Sequence, residues 1–144
     1  MSGYKKILIA LELTEETDKI LMKKAKELAS PNAKLFVIHS VEHTTSYGAA
    51  YGISAGIDVD NVLLEEAEKQ VKHFSKKFHI PENHQFCKLG VAKFVILEQA
   101  QDIAADLILM GSHGRHGLRL LLGSTTNAVL HGVKCDVLAV RVHD

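Results

Sequence analysis

Residues 107–127 read LILMGSHGRHGLRLLLGSTTN, in which a short apolar run leads directly into a glycine-rich segment. The run LILM is typical of a strand that is buried within a sheet. Four glycines follow within residues 111–123, and glycine permits positive φ and lets a ligand approach the backbone closely. Successive N–H groups of such a segment can converge on an anion. The stretch therefore predicts a buried strand with an anion site at its carboxyl end.

Short apolar runs of the same kind recur along the chain. They are rich in Ile, Val and Leu and are separated by longer amphipathic stretches, a pattern typical of parallel strands joined by helices. The strongest runs are Lys6 to Leu13, Lys34 to Val41, Leu107 to Met110 and Asp136 to Val142. A weaker run, His84 to Leu89, predicts a fifth strand at a sheet edge.

Helical periodicity fills the stretches between these runs. Four helices are predicted. The first has Thr14 as its N-cap and stops at Ser30-Pro31-Asn32, and the second spans about Asp58 to Phe78. The third follows Gly90 with Ala104 directed inward, and the fourth runs from near Ser124 to Gly132. Alternating strands and helices predict an α/β fold in a single domain, 1–144. We expect a five-stranded doubly wound parallel sheet, Rossmann-like, with helices on both faces and a ligand site where the winding reverses.

Composition narrows the function classes. The chain of 144 residues has 17 Lys and Arg against 17 Asp and Glu, and this neutral balance argues against nucleic-acid binding. No apolar run approaches the ~20 residues that span a bilayer, and the start MSGYKK leads straight into a strand. The two cysteines, Cys87 and Cys135, form no C-x-x-C motif. We expect a cytoplasmic protein with reduced thiols and no membrane partner.

Charge within the glycine-rich segment favours an anionic ligand. Residues 107–135 contain no Asp or Glu but include Arg115, Arg119 and Lys134. The competing interpretation is that the glycines only form turns and that Ser124 or Thr125 only caps a helix. The position after a strand and the absence of acidic residues favour the anion site. The segment is neither a Walker A motif nor a dinucleotide fingerprint, because no Gly-Lys-Ser/Thr occurs and it does not follow the first strand.

These residues together resemble the universal stress protein family. The resemblance rests on ILIALE at residues 7–12 before a Thr-capped helix, on residues 35–41 with His39, on Gly90, on the segment Gly111 to Ser124, and on VLAVRV at residues 137–142. It implies an adenine nucleotide alpha hydrolase-like fold, a homodimer and a role in stress response. One branch of the family binds ATP, with or without Mg, through Gly-x2-Gly-x9-Gly-Ser/Thr, whereas the other branch binds no nucleotide and acts through protein contacts.

The resemblance also implies the residues of an ATP site. An acidic residue after the first strand would contact the nucleoside, the end of the second strand would meet adenine, and the glycine-rich segment would hold the phosphates. The matching positions are Ala10, Glu12, Ser40, Val41, Gly111, Ser112, His113, Gly114, Arg115, Gly123, Ser124 and Thr125. This sequence departs from the ATP-binding pattern of the family at two points. Only eight residues, 115–122, separate Gly114 from Gly123, and Glu12 stands where Asp is usual.

Four further expectations concern partners, catalysis, metals and one irregular stretch. The last strand, Val137 to Val142, is apolar on both faces through residue 140, and pairing with a second copy would protect such an edge and give a two-fold dimer. No catalytic set is visible, so we expect at most slow ATP hydrolysis. His113 and His116 lack further ligands in a recognisable spacing, so we expect no metal site. The irregular stretch Glu42 to Ile57 is either a lid or an insertion, and its composition favours an insertion.

Overall fold

Strand β1 (Tyr4–Ala10) occupies the centre of a five-stranded sheet in the computed structural model, which describes residues 3–42, 59–111 and 135–141. The other strands are β2 (Ala29–Val41), β3 (Gln85–Leu89), β4 (Leu107–Gly111) and β5 (Asp136–Val140). Their order is β3-β2-β1-β4-β5, and every neighbouring pair is parallel. The doubly wound α/β fold predicted from the sequence is confirmed, with β3 at one edge and β5 at the other.

The described helices cover both faces of the sheet. Helices α1 (Glu15–Leu28) and α2 (Val59–Lys77) pack on one face, and α3 (Ala92–Asp102) packs on the other. Successive residues of β1 alternate between the two cores, because side chains along a strand point to opposite faces. Ile7 and Ile9 join the core beneath α1 and α2, whereas Leu8 and Ala10 join the core beneath α3. Burial of both faces explains why the sequence of β1 is continuously apolar.

The junction between α1 and β2 differs from the prediction. The sequence predicted a helix stop at residues 30–32 and a strand from Lys34, whereas β2 begins at Ala29 directly after α1. The register with β1 passes from Tyr4–Ala29 to Lys6–Lys34, so residues 30–33 bulge out of the ladder. Proline has no N–H to donate and is tolerated at such a bulge. Residues 30–32, which were expected to end the helix before the strand, therefore lie within β2.

The end of α3 also differs from the prediction. Ala104 was expected to face the core, but α3 ends at Asp102 and Ala104 is exposed with φ 55°. The predicted helix near Ser124 to Gly132 and the irregular stretch 43–57 lie outside the described residues. In the part of the chain that the structure describes, no helix is long and apolar enough to cross a membrane.

Asp106 fastens the amino end of β1. Its two carboxylate oxygens accept the backbone N–H groups of Lys5 and Lys6, each at 2.8 Å. The backbone N–H of Asp106 donates in turn to the carbonyl oxygen of Lys6 at 2.9 Å. The Asp106 side chain fixes the start of β4 against β1 and so helps to set the register between these two strands. The winding of the sheet reverses between them.

Candidate functional site

The carboxyl ends of β1, β2 and β4 bring several of the predicted site residues to one edge of the sheet. Ala10, Val41 and Gly111 are the last residues of these strands, and Glu12 follows β1 by two residues. Ala10 and Gly111 are buried, whereas Glu12 and Val41 are half-buried. Ser40, which was also predicted, is the residue before Val41 in β2 and is buried. The other seven predicted residues lie outside the described part of the chain: Ser112, His113, Gly114, Arg115, Gly123, Ser124 and Thr125.

The turn between β1 and α1 is held by a side chain that the sequence analysis missed. Oδ1 of Asp18 accepts the backbone N–H of Glu12 at 2.8 Å, and Oδ2 accepts that of Leu13 at 2.9 Å. Leu13 has φ 64°, a left-handed conformation that a residue other than glycine adopts only when its surroundings hold it there. Thr14 takes the N-cap position as predicted but makes no side-chain capping bond. Asp18 therefore organises the turn that carries Glu12.

A signal for Asp18 was present in the sequence. Asp18 precedes Leu21 by three residues and Met22 by four, and so shares the buried face of α1 with them. A carboxylate on the apolar face of a helix needs partners, because burial of an unpaired charge is costly. Here the partners are the two N–H groups of the preceding turn.

Burial dominates the electrostatics of Asp18. Only 1% of the residue is exposed, and this desolvation raises the pKa of its carboxyl from 3.8 to about 6. The N–H bonds from Glu12 and Leu13 lower the pKa but only in part offset the burial. The negative charge of Glu12 adds a smaller upward shift in pKa, which shows that the Glu12 charge is felt at Asp18.

Two further contacts bind the same turn to β2. The N–H of Leu11 donates to the carbonyl oxygen of Ile38 at 2.8 Å, which continues the β1–β2 ladder past the end of β1. Nδ1 of His39 lies 2.8 Å from the carbonyl oxygen of Leu11, a geometry in which the protonated ring nitrogen donates. The turn is thus anchored both to its own helix and to the neighbouring strand.

The end of β2 is locked to Gly90, the residue after β3. The hydroxyl of Ser40 donates to the carbonyl oxygen of Gly90 at 2.8 Å, and the N–H of Gly90 donates to the carbonyl oxygen of Val41 at 2.9 Å. Ser40 is 3% exposed. Its side chain serves the fold, so a ligand at this strand end would meet backbone and not the Ser40 hydroxyl.

A cleft opens beside Asp18, between the start of α1 and one face of α2. Its volume is about 280 Å³, and it is lined by Leu13, Glu15, Asp18, Lys69, Gln70, His73, Phe74 and Lys77. Nζ of Lys77 lies 3.0 Å from Oε1 of Glu15 across the cleft. Among residues 3–42, 59–111 and 135–141, no group of three or more His, Cys, Asp and Glu side chains could hold a metal ion.

Comparison with known proteins identifies the family. The model of the universal stress protein family matches residues 3–141. The chain belongs to the universal stress protein family. The family resemblance read from the sequence is thereby confirmed over nearly the whole chain.

A curated relative agrees with this assignment, and solved structures share the fold. Universal stress protein A homolog 2 of Coxiella burnetii (strain RSA 493 / Nine Mile phase I) is 59% identical over 143 residues, which cover 99% of this chain and 98% of that protein. The structure of hypothetical protein MJ0577 has a TM-score of 0.70 at 26% identity and covers 98% of each chain. A universal stress protein in complex with cAMP has a TM-score of 0.54 at 22% identity, covering 99% of this chain and 100% of that one.

We predict that Gly90→Ala destabilises this universal stress protein by about 1–3 kcal/mol, because Gly90 has φ +148°, which side chains rarely tolerate. A Cβ there would also lie 2.8 Å from Cγ2 of Val95. Val95→Ala removes that contact but not the backbone strain, so the double variant should remain less stable than Val95→Ala alone. Urea unfolding of the wild type and the three variants measures this, and equal stability of the double variant and Val95→Ala would contradict it.

We predict that Asp18 gives the free energy of unfolding a pH dependence. The folded-state pKa is about 6 against 3.8 for the ordinary carboxyl, so the folded chain binds the proton more tightly. The stability that this tighter proton binding adds is fully present below about pH 4 and is lost as the pH rises through about 6. The free energy of unfolding then decreases by an amount on the order of 2–3 kcal/mol. Urea unfolding at intervals across that range should show a decrease in the wild type that Asp18→Asn lacks. A parallel decrease in the variant would count against this assignment.

Proposed function

We propose that this universal stress protein is a homodimeric stress-response protein that binds ATP, with Mg, at the carboxyl edge of the sheet between β1 and β4. The observation that carries the proposal is the position of Gly111. It ends β4 at the point where the winding of the sheet reverses, with β1 as its neighbour. Doubly wound sheets bind their ligands in the crevice at this point.

The sequence that follows Gly111 supports a phosphate ligand. The chain continues directly from β4 into glycines and basic residues, with no acidic residue before Asp136. Backbone N–H groups, the hydroxyls of Ser124 and Thr125, and the positive charge of Arg115 are groups that bind phosphate oxygens. The anion would therefore meet a donor-rich chain on the β4 side of the crevice.

The β1 side of the crevice supports a nucleoside. Glu12 follows β1, and Asp18 holds the Glu12 backbone N–H at 2.8 Å. A carboxylate at this position can accept hydrogen bonds from ribose hydroxyls, as the acidic residue of dinucleotide-binding folds does. Val41 ends β2 one strand further along, where the family resemblance places adenine. A protein of the same fold is in complex with cAMP, so an adenine nucleotide is compatible with this architecture.

A nucleotide-free protein that acts through protein contacts is the second candidate. The spacing favours it, because only eight residues separate Gly114 from Gly123, where the ATP-binding pattern has nine. The shorter stretch would shift Gly123 and Ser124 relative to the phosphates. The sequence shows no catalytic set, so at most slow ATP hydrolysis stays an expectation, and the cytoplasmic location also stays a prediction.

Isothermal titration with ATP and Mg²⁺, and with cAMP as a second probe, tests the proposal. We expect saturable binding of ATP by the wild type and no measurable heat with Gly123→Val, because a side chain there blocks close approach of the phosphates to the backbone. Gly117→Val is the matched control, since Gly117 lies in the same segment but outside the pattern. Absence of ATP binding by the wild type, together with no nucleotide in the purified protein, would establish the nucleotide-free alternative.

The edge strand β5 supports the homodimer. β5 lies at the end of the sheet order, and Leu138 is 38% exposed, although it belongs to an apolar strand. An uncovered apolar edge exposes unpaired backbone groups, and pairing with the same strand of a second copy satisfies them. We therefore place the dimer contact at Val137 to Val142.

Leu138→Lys should convert the dimer to a monomer, because each copy would bring a positive charge into an apolar strand contact. Sedimentation velocity measures the change. Val62→Lys is the control, since Val62 is 61% exposed on α2, away from β5. A wild-type chain that sediments as a monomer, or an unchanged dimer of Leu138→Lys, would refute this interface.

A further inference from the structure

Asp18 joins two features of the molecule that the proposed function leaves separate. Its carboxylate holds the turn that carries Glu12 to the crevice, and the same side chain lines the cleft of about 280 Å³ between α1 and α2. Asp18 is only 1% exposed, although it is one of the residues that line the cleft. A buried titratable group thus lies between this cleft and the turn that carries Glu12.

We propose that Asp18 is a positioning residue for the nucleotide site, whose ionised carboxylate holds Glu12 and Leu13 in the binding geometry and whose protonation loosens that hold. This inference rests on the proposed function, because it assigns Asp18 a role at the same crevice. Asp18 acts on the ligand through the turn and not by contact.

The chemistry of the carboxyl group explains why protonation of Asp18 would loosen its hold on the turn. An ionised carboxylate accepts with both oxygens and satisfies both N–H groups of the turn, at 2.8 and 2.9 Å. A neutral carboxylic acid carries an O–H on one oxygen and directs a donor against one of those N–H groups. At most one of the two bonds keeps its present geometry, and Leu13 loses part of what holds it at positive φ.

Stability and site geometry therefore respond to the proton in opposite directions. Burial favours the neutral form, which is why the pKa of Asp18 rises to about 6, whereas the two N–H groups favour the ionised form. Below this pH the fold is relieved of a buried charge but the turn is less constrained. Above it the turn is fully bonded.

Several charged groups lie around Asp18, and among them the Glu12 carboxylate raises the pKa of Asp18. They are Glu12 on the turn, Glu15 on α1, and Lys69, His73 and Lys77 on the face of α2 that lines the cleft. Histidine is another residue type that titrates near neutral pH. A His73→Gln variant is therefore needed to separate its effect from that of Asp18.

The first measurement requires no ligand. Amide NMR signals of Glu12 and Leu13 in the wild type and in His73→Gln should titrate together, with a midpoint near pH 6. Asp18→Asn, which mimics the neutral acid, should abolish the titration and raise hydrogen exchange of these two amides about tenfold at about pH 7.5. The control is Glu16→Gln, because Glu16 is an exposed acid in the first turn of the same helix.

The second measurement is the pH profile of ATP affinity in the same four proteins. ATP has its own titration near this range, so the difference between variants at each pH is the informative quantity. Asp18→Asn should bind ATP about tenfold more weakly than the wild type at about pH 7.5 and equally well at about pH 5, whereas Glu16→Gln and His73→Gln should follow the wild type.

The outcomes separate this inference from the proposed function. An Asp18→Asn affinity equal to or above that of the wild type at about pH 7.5 would overturn the positioning role, as would amides of Glu12 and Leu13 that do not titrate in the wild type. The amide titration requires only the wild type, so it tests the hold of Asp18 on the turn even where Asp18→Asn fails to fold. If the wild type binds no ATP while the amides titrate, the nucleotide proposal fails and the hold of Asp18 on the turn stands.

Discussion

Strand β1 pairs with β2 on one side and β4 on the other, and both of its faces are buried, so water can reach its backbone only at its two ends. Backbone groups at those ends still need partners. Asp106 accepts two N–H groups at the start of the strand, and Asp18 accepts two beyond its end. The geometry of the sheet and of the crevice follows from how the ends of this one strand are satisfied.

The sequence predicted the features that depend on long apolar patterns. The central strands and the doubly wound layering follow from runs such as Ile7 to Leu11, which are apolar on both faces, and the edge position of β3 follows from its weaker run, His84 to Leu89. The family assignment followed from the same runs together with the glycine-rich segment. The positions of Ala10, Val41 and Gly111 at one sheet edge are a consequence of parallel topology, since each ends a strand.

Features that depend on single polar contacts escaped the sequence analysis. Asp18 lies among acidic residues at a helix start, where Glu15 and Glu16 are exposed, and only its place on the apolar face of α1 distinguishes it from them. Its role depends on the turn at Leu13, and no local pattern predicts a left-handed leucine. The bulge at residues 30–33 escaped for a related reason, because Pro31 usually ends an element and here lies within a strand.

The pairing of β1 with β4 has a consequence for synthesis of the chain. Lys5 and Asp106 are 101 residues apart in sequence, and contacts over such separations form slowly because a long loop must close first. A domain folds as a unit, so the sheet is complete only after β4 and β5 have been synthesised and paired with it. The crevice between β1 and β4 is incomplete until residues 107–111 have been synthesised. A ligand that binds there would therefore stabilise only an almost complete chain.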